Sequence, residues 1–173
     1  KVTLTNNDII YVNSDYIVCC NPYDVFILDI KSYTLINAIH FENIITGFSL
    51  DQDNVYILEM EYISNAEENH KITKYNITQD TQTTIYDTNE MVSNIFAIDD
   101  KIVFLNYVDN QVGIRYIDMR SMENKFINIE ADLTMSDDDV MDILFDGQQI
   151  IYETRDRRFY LICIFTGEIK EIG

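Results

Sequence analysis

The sequence is poor in the residue types on which most enzyme chemistry depends. Its 173 residues include five glycines, three cysteines, two histidines and no tryptophan. No P-loop and no G-x-G-x-x-G segment is present to hold a phosphate, and the H-E-x-x-H and G-x-S-x-G motifs of hydrolases are missing too. The two histidines, His40 and His70, offer little for a zinc site or a triad, and we interpret His40 as structural. The sequence therefore predicts no catalytic residue, no metal site and no cofactor.

The cysteines are too few for a closed disulfide framework. Cys19 and Cys20 are adjacent, so on a strand they point to opposite faces and are poorly placed to bind one metal together. We interpret them and Cys163 as small buried apolar residues, which favours an intracellular location, cytoplasmic or nuclear. The glycosylation sequon at residues 76–78 leaves secretion open.

Long apolar runs and basic residues are also scarce. No run approaches the ~20 residues that a membrane-spanning helix needs, and no signal-peptide pattern is present. The chain starts at Lys1 without an initiator methionine, so we expect it to be part of a longer protein. Twelve basic residues face 30 acidic ones, a net charge of −18 with neutral histidines. This charge repels nucleic acid and anionic membranes, so we predict neither as a partner; it attracts a basic protein surface, or it only keeps the domain soluble.

A repeat is the main feature that the chain does contain. Hydrophobic residues make up 47% of it, enough for a folded domain. A short hairpin pattern, apolar strand, polar turn and second strand, recurs at residues 28–36, 74–85, 116–127 and 162–172. Aligned on Asp29, Asn76, Asp118 and Cys163, the copies are 47, 42 and 45 residues apart. Upstream of each lies a second pair of apolar strands around an Asp, Asn or Gly break, for example IIYV and YIVCC within residues 9–20 and VMDILF and QIIYET within residues 140–154. Four units of four strands result.

Strands of five to eight residues with a period in the forties predict an all-β fold, a β-propeller of four four-stranded blades. The predicted blades span residues 6–41, 43–87, 91–129 and 138–172 of a single domain, 1–173. Such sheets carry apolar residues on both faces and bury them by packing against one another. The alternating residues that we expect in these packed layers are Val55, Ile57, Ile102, Phe104, Ile150 and Tyr152.

The hairpin resembles the repeat of WD-repeat propellers, in which an apolar strand ends in Asp before a turn and a further strand. The segment VFILDIKSYTLINAI (25–39) matches it best, and VGIRYIDMRSMENKFI (112–127) is next. The signature Trp-Asp and Gly-His pairs are missing. The ring could close with four blades or be part of a larger propeller of ~6 to 8 blades. Residues 1–4 could close the ring or be a leader strand.

Two long polar connections, residues 62–71 and 130–140, are expected on one rim of the propeller, where binding usually lies. Their acidic residues are the predicted partner-binding site, and mobile solvated loops are the alternative. The site comprises Glu67, Glu68, Asp132, Asp137, Asp138 and Asp139.

Other charged groups are weaker candidates for sites. The segment that starts at Asp51 does not have the ligand spacing of an EF-hand calcium loop. A less regular calcium site in residues 136–139 is an alternative. Glycosidase chemistry would need converging carboxylates such as Glu59, Asp142 and Glu153. We interpret these three as strand-end or outward-facing residues. The basic cluster Arg155, Arg157 and Arg158 is expected to pair with nearby acids.

The predicted function is a non-catalytic protein-interaction or scaffold module of a larger protein or complex. The reason is that the sequence contains structural repeats but no recognisable catalytic or ligand-binding motif. The alternative is an extracellular propeller that binds a carbohydrate or another ligand, with or without activity on glycans. It predicts clustered carboxylates with aromatic residues at the axis of the propeller.

Overall fold

A computed structural model describes residues 9–64, 67–109, 111–129, 140–154 and 157–173, and the side chains of the same ranges except residues 9 and 140–142. All regular secondary structure in these ranges is β-strand, and they contain no helix that could span a membrane. The described strands form four four-stranded sheets. In each sheet, strands that are consecutive in the chain pair antiparallel.

The first sheet contains β1 (Ile9–Val12), β2 (Tyr16–Cys20), β3 (Asp24–Asp29) and β4 (Leu35–His40). The second contains β5 (Ile44–Asp51), β6 (Asn54–Ser64), β7 (Glu67–Asn76) and β8 (Thr81–Thr88). The third contains β9 (Met91–Ile98), β10 (Lys101–Val108), β11 (Gln111–Asp118) and β12 (Glu123–Asn128). The fourth contains β13 (Val140–Phe145), β14 (Gln149–Thr154), β15 (Phe159–Cys163) and β16 (Ile169–Glu171).

The turn after the third strand of each sheet explains why the aligned polar residue recurs. The Asp29 carboxylate accepts hydrogen bonds from the backbone N–H groups of Lys31 (3.0 Å) and Ser32 (2.7 Å). Asp118 does the same in the third sheet, and Asn76 accepts one such bond in the second. A short side-chain acceptor at this position closes the turn. These backbone bonds hold the pKa values of Asp29 and Asp118 below the ordinary value.

The four sheets share one strand register. In each sheet the aligned turn residue pairs with the first residue of the second strand. The pairs are Asp29 with Tyr16, Asn76 with Asn54, Asp118 with Lys101 and Cys163 with Gln149. Because side chains alternate along a strand, this register defines two equivalent faces in every sheet. We call the face of Val55 and Ile57 the front face and the face of Tyr56 and Leu58 the back face.

The chain divides into two compact units, residues 1–89 and 90–173, each built from two sheets. In the first unit the back face of the first sheet, with Val18 and Cys20, packs on the front face of the second, with Val55 and Ile57. In the second unit the back face of the third sheet packs in the same way on the front face of the fourth. Back-on-front packing is therefore the arrangement within each unit.

Polar contacts join the two sheets of the first unit beside this core. Asn37 on β4 donates to the hydroxyl of Tyr75 on β7 (2.6 Å), and that hydroxyl donates to Asp80 (2.7 Å). Burial and the neighbouring Asp80 carboxylate raise the pKa of Tyr75. In the second unit, Lys101 donates to the backbone oxygen of Gly147 (2.9 Å).

The predicted core positions are confirmed. All six alternating residues are 0% exposed, and they are Val55, Ile57, Ile102, Phe104, Ile150 and Tyr152. On β6 both faces are buried, since Tyr56 and Leu58 are 0% exposed as well. The prediction of sheets that are apolar on both sides therefore holds where the pattern was clearest.

Candidate interaction surface

The first predicted contact segment, residues 62–71, is not a loop. Strand β6 continues to Ser64 and β7 begins at Glu67, so Glu67 and Glu68 are strand residues. The loop prediction was wrong because it followed the charge of this segment. Tyr62 and Ile63 are strong strand formers, and pairing between β6 and β7 satisfies the backbone of this segment.

These two strands extend beyond the rest of their sheet. Strand β5 begins at Ile44, opposite Met60, and β8 ends at Thr88, opposite His70. Beyond this point the paired residues are Glu61 with Asn69, Tyr62 with Glu68, and Ser64 with Glu67. Within the described part of the second sheet, no strand flanks these pairs on either side. We call residues 61–64 and 67–69 the protruding ribbon.

The protruding ribbon combines exposed apolar groups with negative charge. Tyr62 is 61% exposed and Ile63 is 59% exposed. Glu61 and Glu67 are also exposed, and residues 61–69 contain no Lys or Arg. Large apolar side chains at the end of a paired ribbon, rimmed by charge, are typical of a protein contact surface.

An ion pair with a buried carboxylate and a partly exposed lysine lies at the base of the ribbon. Glu59 is 3% exposed, which corrects its interpretation as a strand-end or outward-facing carboxylate. Its carboxylate accepts a 2.6 Å hydrogen bond from Thr73 and lies 3.3 Å from the Lys71 ammonium. Asn43, in the connection that leads into β5, donates to the same carboxylate at 3.4 Å. These partners satisfy a charge that would otherwise be costly to bury.

The opposite face of the ribbon's base carries a buried histidine. His70 is 3% exposed, its Nε2 lies 3.6 Å from the Glu68 carboxylate, and its Nδ1 has no hydrogen-bond partner among the described residues. Burial lowers the pKa of His70, because desolvation disfavours the imidazolium more than Glu68 favours it. Asn69 next to it donates to Asp87 on β8 (2.8 Å) and ties the ribbon to its sheet.

The second predicted contact segment is residues 130–140. Its site residues Asp132, Asp137, Asp138 and Asp139 lie outside the described residues, as does the less regular calcium site. Their partner-binding role therefore stays a prediction.

The remaining candidate groups lie at separate places in the fold. Glu153 pairs with Arg157 at 2.6 Å, as expected for the basic cluster. Asp142 lies in β13, and Arg155 lies outside the described residues. His40 has a structural contact, since its Nδ1 lies 2.8 Å from Asp24 on the neighbouring strand. Among the described residues, no three His, Cys, Asp or Glu side chains are arranged to hold a metal ion.

The apolar half of the ribbon was not predicted from the sequence. The pattern places Tyr62 both at the end of a strand and in the polar connection, and it places Ile63 only in the connection. The sequence signal for it was the mostly apolar run from Val55 to Ile63, which Glu59 and Glu61 interrupt and which is longer than the second strand of the other three units.

Comparison with known proteins shows the fold. Several solved structures resemble this chain over 95% of its residues. Three of them are the computationally designed Ika4 protein (9% identity, TM-score 0.61, 89% of that chain), an oligogalacturonate lyase in complex with manganese (10%, 0.69, 52%) and the N-terminal domain of Nup159 (11%, 0.60, 47%). The Nup159 fold is also matched in the S. cerevisiae complex of dbp5 bound to nup159, gle1, ip6 and adp (14%, 0.60, 42%).

The chain thus spans about half the length of the lyase and Nup159 chains that it resembles. No family model and no curated protein sequence matches it, so the resemblance to WD repeats stays a prediction at the level of family. The described residues form sixteen strands in four antiparallel four-stranded sheets, and propellers are among the structural neighbours, which confirms the predicted fold class. The chain is an all-β protein built from β-propeller blades.

Proposed function

We propose that this chain is a non-catalytic protein-interaction module of a larger protein or complex, and that its protruding ribbon is a contact element. The observation that carries the proposal is the exposure of Tyr62 and Ile63 at 61% and 59% on a regular, paired ribbon. A soluble domain gains nothing in stability from large apolar side chains held in water. Burial of such side chains against a partner is worth about 1.5–3 kcal/mol each.

The ribbon is suited to binding because its backbone is ordered before a partner arrives. Its residues pair across β6 and β7, and the Glu59–Lys71 contact (3.3 Å) anchors its base. A contact element held by strand pairing loses less conformational entropy on binding than a free loop does.

The partner that fits is a protein surface with an apolar recess edged by Lys or Arg. The recess would receive Tyr62 and Ile63, and the basic edge would face Glu61, Glu67 and Glu68. The net charge of −18 steers such a surface toward this chain at a distance. Among the structural neighbours, Nup159 is known in a complex with other proteins, which supports a binding role for this kind of propeller.

Three cysteines that form no disulfide fit an intracellular site of action, and we propose that location for the module. The proposal also assigns no catalysis to the chain. Its basis is the individual pairing of the described candidate groups, Glu59 with Lys71 and Thr73, and Glu153 with Arg157.

The test is affinity capture from a lysate of the source organism, read by quantitative mass spectrometry. The bait is the chain, or a variant with Tyr62→Ser and Ile63→Ser. We expect the wild-type bait to enrich a small set of proteins and the ribbon variant to lose at least about 90% of that enrichment, as a central apolar contact implies. A matched control replaces exposed apolar residues elsewhere, Tyr33→Ser and Met122→Ser, which are 72% and 79% exposed.

A second variant tests charge alone, with Glu61→Gln, Glu67→Gln and Glu68→Gln. It should bind more weakly and show a smaller loss of binding on addition of salt, because steering by exposed charges is screened. Equal enrichment by the wild-type bait and the Tyr62/Ile63 variant, or no enriched protein at all, would refute the proposal.

A further inference from the structure

The central part of the front face of the first sheet is apolar. Directly paired residues across β1 to β4 place eight side chains on it, namely Ile10, Val12, Ile17, Cys19, Phe26, Leu28, Leu35 and Ala38. None of the eight is polar, in a chain that carries 30 acidic residues. Asp24 and His40 lie at one end of this face and pair with each other.

The outer strands of this face are exposed, whereas Cys19 on β2 is 3% exposed. Ile10 is 48% exposed, whereas Phe48 and Ile143, which occupy the same repeat position in the second and fourth sheets, are 2% and 0% exposed. Val12 beside it is 59% exposed, and Leu35 on β4 is 51% exposed. The repeat therefore supplies the apolar side chains of a packed layer at positions that remain in contact with water.

The back face of the fourth sheet shows the same mismatch. Leu144, Ile151 and Leu161 lie side by side across β13 to β15. Leu144 is 60% exposed, whereas Ser49 at its repeat position in the second sheet is 4% exposed. Phe159 on the same face is 39% exposed.

We infer that this chain self-associates through these two surfaces: the front face of the first sheet of one copy packs on the back face of the fourth sheet of a second copy. Each unit already uses back-on-front packing, with Val18 and Cys20 on Val55 and Ile57 in the first unit. Ile10, Val12 and Leu35 on the front face of the first sheet are exposed, and the back face of the fourth sheet exposes Leu144 and Phe159, which are apolar as well. In a two-fold symmetric dimer this contact forms twice.

Charge explains why these faces suit a second copy. Two chains of net charge −18 repel one another, so they can associate only through surfaces that carry little charge. The eight-residue face of the first sheet carries none. On the fourth sheet the register places charges of both signs on the back face, with Asp142 opposite Glu153 and Lys170 opposite Leu161, and Glu153 pairs with Arg157 at 2.6 Å.

The test is sedimentation velocity of the full chain over a range of concentrations. Val12→Lys places a charge on the front face, Leu144→Lys places one on the back face, and Met122→Lys is a control at an exposed residue of the turn between β11 and β12. We expect a dimer for the wild type and the control, and a dimerisation constant weakened by about a hundredfold or more for the two face variants. Ile10→Lys and Phe159→Lys serve as second variants on the two faces, and thermal unfolding checks that each protein is folded.

A mixture of Val12→Lys and Leu144→Lys chains identifies the pairing. Each variant alone has no intact contact, but the mixed dimer has one, formed by the front face of one variant and the back face of the other. We expect association to return partly in the mixture. A monomeric wild type, or a Val12→Lys chain that dimerises as well as the wild type, would overturn the inference. Ribbon variants should dimerise normally, so this result is separate from the proposed function.

Discussion

The second and third sheets bury a polar group at the same position of the repeat but use different chemistry there. Glu59 in the second sheet is opposite Lys71, and Asn106 in the third is opposite Gly113. Glu59 is held by Thr73 and Lys71. Asn106 is 0% exposed and accepts a 2.8 Å hydrogen bond from Arg115, at the position equivalent to Thr73.

The strands beyond this position also differ. In the second sheet β6 and β7 continue as the protruding ribbon, whereas in the third sheet β10 ends at Val108 and β11 begins at Gln111, opposite it. In both sheets the buried polar residue lies opposite the second residue of the first strand. Glu59 is opposite Ile45, and Asn106 is opposite Val92. A satisfied polar group therefore closes the apolar interior of both sheets. In the second sheet the strand residues beyond it extend as the protruding ribbon, the proposed contact element.

The largest effect should come from breaking the ion pair of the second sheet. Glu59 is 3% exposed, and Lys71→Met removes the cation that pairs with its carboxylate. We expect a loss of about 3 kcal/mol in the free energy of unfolding, measured by denaturant titration. Adding Glu59→Gln should restore most of it, because the unpaired charge is then gone.

The matched control is Lys125→Met in the third sheet, where Lys125 pairs with Glu123 at 2.8 Å and both are well exposed. A surface pair of this kind contributes about 0–1 kcal/mol. If Lys71→Met costs no more than Lys125→Met, the Glu59 pair has no special role.

The next effect concerns the glycine that replaces Lys71 in the third sheet. A Cβ on Gly113 would lie 2.3 Å from the Phe126 ring and 2.8 Å from the backbone oxygen of Ile127. Gly113→Ala should therefore destabilise the protein by about 1–3 kcal/mol in thermal or chemical unfolding. Combining it with Phe126→Leu should recover part of the loss, whereas an unaffected Gly113→Ala protein would contradict the steric role.

A smaller effect should depend on pH. His70 in the second sheet corresponds to Val112 in the third, so His70→Val converts one sheet to the other's chemistry. Burial lowers the pKa of His70 in the folded state, so the unfolded chain binds the proton more readily. Stability should then fall as the pH drops below the unfolded value of about 6.5, toward the lowered folded pKa, at about 1.4 kcal/mol per unit of lowering.

His70→Val should remove this part of the pH dependence between about pH 7 and pH 5, a window that lies above the titration of most carboxylates. The measurement is the free energy of unfolding of both proteins across that range. Parallel curves for the two proteins would show that His70 does not titrate differently on folding.

The last prediction concerns the turn position that defines the repeat, and the expected effect is on cysteine reactivity. Cys163 stands where Asp29 and Asp118 stand, and hydrogen bonds from the Thr166 hydroxyl and from the backbone of Thr166 and Phe165 lower the pKa of its thiol. Cys163 is half-buried, whereas Cys19 and Cys20 are each 3% exposed. Iodoacetamide should therefore modify Cys163 first, because the thiolate is the reactive form.

Peptide mass spectrometry over time measures the three modification rates in the folded protein. Thr166→Val removes the hydroxyl and should slow the reaction of Cys163 without changing the rates at Cys19 and Cys20. Equal rates at the three cysteines would contradict the difference between this turn and the buried strand positions.

Much of the fold could be predicted because it rests on local chemistry. The strand pairs IIYV with YIVCC and VMDILF with QIIYET were predicted with the bounds that the structure gives them, as β1, β2, β13 and β14. Alternating apolar residues and Asp or Asn turns act over two to five residues, so a sequence reports them directly.

The protruding ribbon, the proposed contact surface, was predicted less well, for a physical reason. Charge at residues 67 and 68 indicated a loop, but backbone pairing between β6 and β7 outweighs the charge of exposed side chains. The burial of Glu59 was missed because it depends on Thr73, Lys71 and Asn43, which lie on other strands and in a connection. Spacing within one strand carries no information on such partners.

The sequence by itself determined the repeat, the turns that close each hairpin and the apolar character of both faces of the sheets, since each depends on neighbouring residues. Tertiary structure alone decided which of those faces are covered. Val12 and Leu144 have the side chains of a core yet are 59% and 60% exposed. Burial depends on the surface that packs against a face, and the residues of the face itself do not specify that surface.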